Sequence, residues 1–254
     1  MKVLVEKNAP LTIVTINRPE RRNAVDHETA LALREAFVEF DRDDTMSVAI
    51  LTGVGGYFCA GYDLTTVGQG PSLHEPEGEG PMGPSRMLLS KPVIAAVEGH
   101  AVAGGLELAL WCDLRVASTT AVFGVFCRRW GVPLIDGGTV RLPRLIGHSR
   151  ALDMVLTGRA VEAEEALQFG LANRLVPRGE ALAGAISLAT EITKFPQLCM
   201  RTDRMTSYLQ WGDSLPDALK REGRAGEGPL REEAAKGAAR FAGGLGRGGR
   251  FDAI

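Results

Sequence analysis

No run in this sequence approaches the length of a membrane span. The N-terminus, MKVLVEKNAPLTIVTINRPE, places Glu6 and Lys7 after only a few apolar residues, so it lacks the apolar centre of a secretion signal. The chain is therefore expected to stay in the cytoplasm. Cysteine is sparse. Cys59, Cys112, Cys127 and Cys199 lie far apart with no CxxC pair, which excludes a dense disulfide framework, argues against a metal cluster, and fits free thiols in a reducing compartment. A strong charge of either sign is also missing: the formal net charge is −2, so nothing draws the whole molecule toward nucleic acid or an anionic membrane. Any anionic ligand must be met by local features. No internal repeat is found. What remains is an ordinary globular composition, 45% apolar and 24% charged over 254 residues, enough for one large domain or for a large domain with an appendage.

Alternating element types organise the first half. Lys2 to Glu6 and Leu11 to Ile16 read as two strands joined through Asn8, Ala9 and Pro10, the second closed by Asn17, Arg18 and Pro19. Apolar residues then recur at Ala30, Leu33, Phe37 and Phe40, predicting an amphipathic helix from an Asp26 N-cap, which leads into the apolar strand Ser47 to Leu51. A further strand, Val93 to Val97, precedes Gly99 and the Ala103-Gly104-Gly105 turn, a helix through Trp111 and a strand at Leu114 to Ala117. Such alternation predicts an α/β fold with a mainly parallel sheet and functional groups on the turns at the strand ends. Thr65 to Pro84, rich in Gly, Pro, Glu and Ser, reads as a mobile loop near the ligand rather than core. Beyond Gly147 the pattern is mostly helical, apart from a strand candidate at Asn173 to Val176, with helices expected over Leu198 to Leu209, Leu215 to Arg224 and Pro229 to Phe241. His100 follows a strand turn, and His148 reads as a helix-start residue.

Two segments carry candidate chemistry. In FCAGYDL, Phe58 to Leu64, an Ala-Gly pair lets backbone approach a ligand closely, although an ordinary tight turn has the same composition. In KPVIAAVEGHAVAGGLELALWCDLRVA, Lys91 to Ala117, Gly104 and Gly105 open a helix whose unpaired N–H groups suit a developing oxyanion. Glu107 lies in that helix's first turn, where the dipole favours its charged form and apolar neighbours favour its neutral one. The alternative is a charge partner on a solvated face.

In this order and separation, the two segments resemble the signature of the enoyl-CoA hydratase/isomerase (crotonase) family. So do NRPERRNAV (Asn17 to Val25), FGVFCRRWGVPLIDGGTVRLPRLIG (Phe123 to Gly147) and LTGRAVEAEEALQFGLANRLV (Leu156 to Val176), so the resemblance covers nearly the whole chain. It implies a crotonase-like ββα spiral core over residues 1–195 and a C-terminal helical region over residues 196–254, expected in oligomer contacts, with packing on its own core as the alternative. Residue by residue, it implies an oxyanion hole from the backbone N–H groups of Tyr62 and Gly104, and a CoA site at Arg22, Ala24, Ala60 and Asp63. Arg247 and Arg250 stand where the family often has a lysine-rich stretch that helps bind the nucleotide. Glu107 matches the first of a hydratase's two glutamates, while the second falls at Cys127. A thiol cannot supply a carboxylate's two strong acceptor oxygens; Arg128 and Arg129, if they approach it, would lower its pKa, and a buried structural thiol is the other reading. Asp136 lies one residue after the place of a catalytic aspartate in some family isomerases, and is otherwise a cap for a helix starting near Gly137.

The resemblance implies an enzyme of the enoyl-CoA hydratase type, a lyase acting on a CoA thioester through a stabilised enolate, with Glu107 as acid/base and a place in fatty acid metabolism. Isomerisation of the double bond is the alternative within the fold, and a non-catalytic acyl-CoA binder is the alternative outside it, because of Cys127. No metal and no cofactor besides the substrate's own CoA is implied. The expected partners are acyl-CoA or enoyl-CoA and further copies of the chain, as a homotrimer or homohexamer, with no nucleic acid or membrane.

Overall fold

The structure, a computed structural model, describes residues 1–68, 75–246 and 248. It divides into two compact units, Met1–Ala189 and Thr190–Ile254. In the first, β1 (Val3–Asn8) and β2 (Leu11–Ile16) form an antiparallel hairpin. Helix α1 (His27–Arg42) follows, its Asp26 N-cap accepting from the Thr29 N–H at 2.9 Å. The Ala30, Leu33, Phe37 and Phe40 stripe of α1 is buried, each large side chain contributing about 1.5–3 kcal/mol of apolar transfer.

Next come β3 (Val48–Gly53), β4 (Val93–Val97), β5 (His100–Val102) and α2 (Gly104–Trp111), then β6 (Leu114–Ser118) and β7 (Val122–Gly124). They are followed by α3 (Gly138–Ile146), α4 (His148–Thr157), β8 (Ala160–Glu162), α5 (Ala163–Phe169), β9 (Arg174–Val176) and α6 (Ala181–Thr193), which runs across the division between the units. Six strands make one sheet in the order β1-β2-β3-β4-β6-β9, parallel except for the β1–β2 hairpin. Its central strands β3 and β4 are buried nearly throughout, which is why both read as continuous apolar runs. The fold is thus α/β with a mainly parallel sheet, as expected.

A second sheet, β5-β7-β8, is absent from the sequence reading, because three-residue strands are too short to show a period. It matters for function: β5 leads straight into α2. The loop reading of Thr65 to Pro84 needs correction at its far end. Gly80 and Met82 through Ser85 are buried, and Gly83 sits against the backbone of Ala30 in α1. Residues 69–74 of that loop, and Arg247 and Arg250, lie outside the described residues.

The second unit is helical: α7 (Gln197–Leu209), α8 (Leu215–Pro229), a π-helical turn at Leu230–Ala234 and α9 (Ala235–Ala242). Ser214 caps α8, and the Glu233 carboxylate accepts the Leu198 and Cys199 N–H groups at the start of α7. Among the described residues no helix is long and apolar enough to cross a membrane.

Candidate active site

A cavity of about 350 Å³ lies in the first unit, and Ala60, Tyr62, Gly104, Glu107, Cys127 and Asp136 all line it. The FCAGYDL segment is therefore more than a tight turn. It is laced on both sides. Cys59 exchanges backbone hydrogen bonds with β5, donating to the His100 carbonyl at 2.9 Å and accepting from Val102 at 3.1 Å. Val25 brackets Tyr62, donating to the Gly61 carbonyl and accepting from the Asp63 N–H, both at 2.8 Å. Gly61 has φ +99°, and a Cβ there would lie 2.8 Å from the Ala103 Cβ and 2.9 Å from the Gly104 nitrogen. Only glycine allows the two corners to approach so closely.

At the other corner, Ala103 is held at φ 54° and ψ −126°, an unusual geometry for a residue with a Cβ, and α2 begins immediately after it. Gly104 is thus the first helical residue, whose N–H has no partner within the helix. Among the described residues, neither the Tyr62 N–H nor the Gly104 N–H donates a hydrogen bond. Both residues line the cavity, so an anionic oxygen entering there would meet two preorganised donors at a helix N-terminus.

A buried ion network backs this turn. Arg18 pairs through Nη2 with Asp63 at 3.0 Å and Asp26 at 3.1 Å, and its Nη1 donates to the Ala24 carbonyl. In the sequence Arg18 reads only as the end of a strand, since its Asp63 partner is far along the chain. At Asp63 burial works against ionisation, but hydrogen bonds from Thr65 and Arg18 outweigh it and the pKa is lowered. Burial is likewise outweighed at Asp26 by Lys2, Thr29 and Arg18, leaving its pKa at about 2. Of the residues expected to hold CoA, then, Asp63 has its carboxylate committed to Arg18 and Thr65. The Ala24 carbonyl already accepts one bond, Ala60 donates to the Arg22 carbonyl at 3.1 Å, and Arg22 is exposed with its guanidinium over the Tyr57 ring.

Across the cavity the chemistry comes from side chains. Glu107 is only 2% exposed, which removes the solvated-face reading. Its Oε1 accepts the Asp136 N–H at 2.9 Å and the Gly138 N–H at 2.8 Å. A Cβ on Gly138 would come within 2.9 Å of that oxygen, so a glycine is what admits the carboxylate to this N–H. Burial, then the nearby charge of Asp136, raises the Glu107 pKa, and the two N–H groups and Arg141 only partly offset this; it stands at about 7. A carboxyl balanced near neutrality can both give and take a proton.

Two expectations fail here. Asp136 does not cap α3, whose N-cap is Gly137 without any side-chain cap bond. Its carboxylate turns the other way, accepting the Met82 N–H at 3.0 Å and the Ser85 hydroxyl, and burial raises its pKa against the pull of Ser85, Met82, Arg86 and Arg141. Nor do the arginines bring the pKa of Cys127 below its ordinary value. Burial and then the charge of Glu107 raise it, and Arg128 only partly opposes them. Arg128 donates instead to the Val155 carbonyl, and Arg129 stacks on Phe126 and donates to the Gly158 carbonyl. Cys127 is a buried thiol that also faces the cavity. Among the described residues no group of three or more His, Cys, Asp and Glu side chains is placed to hold a metal ion.

Comparison with known proteins fits this geometry. The model of the enoyl-CoA hydratase/isomerase family matches residues 6–242. The chain is 43% identical to enoyl-CoA hydratase EchA19 of Mycobacterium tuberculosis over 197 residues, covering 75% of this chain and 74% of that protein. It is 38% identical to the carnitinyl-CoA dehydratase of Salmonella typhi over 197 residues, 76% and 75% of the two chains. The crystal structure of enoyl-CoA hydratase EchA1 from Mycobacterium marinum superposes with a TM-score of 0.90 at 39% identity, over 95% of each chain.

Proposed function

Because the chain belongs to the enoyl-CoA hydratase/isomerase family, we propose that it is a hydro-lyase that adds water across the double bond of an enoyl-CoA. The observation that carries this reading is the pairing, in one cavity, of an acid with a pKa of about 7 and two backbone N–H groups that donate no hydrogen bond among the described residues. Attack of water at Cβ pushes the π electrons onto the thioester oxygen, where the Tyr62 and Gly104 N–H groups stabilise the charge. Protonated Glu107 delivers its proton to Cα as the enolate collapses, and the water's proton restores the acid. The cavity walls, with Met82, Phe126, Val132, Pro133 and Ile135, suit an apolar acyl group.

CoA itself is assigned to Arg22, Ala24 and Ala60, and to the backbone at Asp63; no further cofactor is needed for this chemistry. Cytoplasmic residence agrees with four unpaired cysteines. Assembly into trimers or pairs of trimers, with the C-terminal region in the contacts, agrees with the exposed Leu215, Leu219 and Leu230 of the second unit. A role in fatty acid metabolism is part of the same reading.

Isomerisation is favoured over hydration by one observation, the thiol of Cys127 where a second glutamate is expected, since double-bond migration needs only one acid that takes a proton from one carbon and returns it to another. Incubation with trans-2-enoyl-CoA in oxygen-18 water decides between them. Labelled 3-hydroxyacyl-CoA that disappears in Glu107→Gln supports hydration; bound but unlabelled, unchanged substrate removes it, and migrated substrate supports the isomerase.

A further inference from the structure

Glu107 and Asp136 are held in the same way. Each is buried, each lines the cavity, and each ties a single oxygen into the wall: Oε1 of Glu107 takes the N–H groups of Asp136 and Gly138, and Oδ1 of Asp136 takes the Met82 N–H and the Ser85 hydroxyl. Among the described residues no hydrogen bond reaches Oε2 of Glu107 or Oδ2 of Asp136. A wall-side oxygen fully engaged and a second oxygen left over is what a carboxylate needs to hold a ligand in fixed orientation. The two residues are also joined directly, since the Asp136 N–H is one of the donors to Glu107.

We propose that Asp136 is the second catalytic carboxylate, filling from the start of the α3 turn the role that Cys127 cannot fill. This deepens the hydration reading and rests on it. The water binds between Oε2 of Glu107 and Oδ2 of Asp136. As its oxygen bonds to Cβ, the π pair moves onto the thioester oxygen and the water's proton passes to Asp136. Glu107 then protonates Cα as the enolate collapses, and the proton on Asp136 returns through the next water to Glu107, so one water is added and both carboxyls are restored.

The surroundings fit a group that must stay charged in a dry wall. Arg141 donates to the Asp136 and Ser85 carbonyls, and Arg86 donates to the Ile135 carbonyl and to those of Glu75, Pro76 and Gly78. Both guanidiniums favour the Asp136 carboxylate, among the described residues without an ion pair to it, while burial opposes it. The hydroxyl of Ser85 and the N–H of Met82 are the direct donors.

The test separates water activation from proton exchange at Cα. Asp136→Asn keeps an oxygen for Ser85 and Met82 but loses the base. In the variant, hydration kcat should fall about 100-fold or more, while deuterium wash-in at Cα of the saturated thioester butanoyl-CoA, which needs Glu107 alone, stays within about 3-fold. Unchanged hydration overturns the proposal, and so does an equal fall in both activities, which marks structural damage. Should Asp136→Asn not fold, Ser85→Ala serves: removing a donor raises the Asp136 pKa, so the acidic limb of the kcat/KM profile moves to higher pH, and an unmoved limb overturns the proposal. Wild-type protein that binds but does not hydrate enoyl-CoA sinks the hydratase reading and this inference with it. Active wild type with an unaffected Asp136→Asn sinks this inference alone.

Discussion

The two walls of the cavity are built on different terms. The wall proposed to hold the oxyanion uses backbone: the Tyr62 and Gly104 N–H groups, fixed by the Val25 bracket, the Cys59 bonds to β5 and the positive φ at Gly61. The wall proposed to move protons uses side chains, Glu107 and Asp136, positioned by N–H groups and the Ser85 hydroxyl from separate segments, with the Cys127 thiol lining the same cavity. Backbone chemistry tolerates a change of side chain, so a tyrosine at position 62 costs nothing. Side-chain chemistry does not, so with a cysteine at position 127 the proposed second acid is Asp136, on another segment. The first wall should fail when glycine geometry is disturbed, the second when a carboxyl is lost.

Substitutions can break or sharpen that contrast. The largest effect is expected from Glu107→Gln, which should lower kcat by about 10²–10⁴-fold with little change in substrate binding, as read by steady-state kinetics and calorimetry. In wild type, kcat/KM should fall as pH rises through about 7, because Glu107 must be protonated to serve Cα. The same group links pH to stability. Its folded pKa is raised from 4.5 to about 7, so the stability it gives is complete below the lower value and lost as pH rises through the upper one. Glu107→Gln removes that loss, so its melting temperature should gain on wild type between pH 5 and pH 8.

Next in size is Gly61→Ala on the backbone wall. The added Cβ meets the Gly104 corner, and kcat should fall about 10²–10³-fold, the typical cost of an oxyanion donor, while the pH profile keeps its shape. Arg18→Met ranks third and acts on folding: it leaves Asp63 buried without its cation and Asp26 with Lys2 alone, a loss of about 3–5 kcal/mol readable by urea denaturation. Cys127→Ala should cost only about 1 kcal/mol of stability and leave kcat nearly unchanged, because a thiol whose pKa is raised acts as a small hydrophobe. A collapse of kcat there would give the thiol a part in the chemistry and erase the contrast. Tyr62→Phe should change least of all, since only the N–H at that position is used.

Local signals made much of this legible in sequence. The Asp26 cap and the 3.6-residue stripe gave α1, the apolar run Val93 to Val97 gave β4 with its bounds, and the paired glycines placed the start of α2 at Gly104. Glu107 was visible because it stands one turn into that helix. What stayed hidden depends on distant partners. Asp136 looked like a cap, yet its carboxylate is claimed by Met82 and Ser85, more than fifty positions earlier. Arg128 and Arg129 adjoin Cys127 in sequence, but a short 3-10 helix turns their guanidiniums toward Val155 and Gly158. Arg18 gave no periodic signal, and its partners Ala24 and Asp26 are brought together with Asp63 from a distant turn. Segments such as Met82 to Ser85 are buried by what packs over them, which composition does not report.

The carbonyl stretch of a bound, carbon-13-labelled saturated acyl-CoA, followed by infrared difference spectroscopy in wild type, Glu107→Gln and Gly61→Ala, tests the division of labour between the two walls most directly. The stretch should drop to lower frequency in wild type and in Glu107→Gln, where the backbone donors remain, and return toward its solution value in Gly61→Ala. A stretch unshifted in wild type, or one whose shift vanishes with Glu107 but survives in Gly61→Ala, would contradict the account.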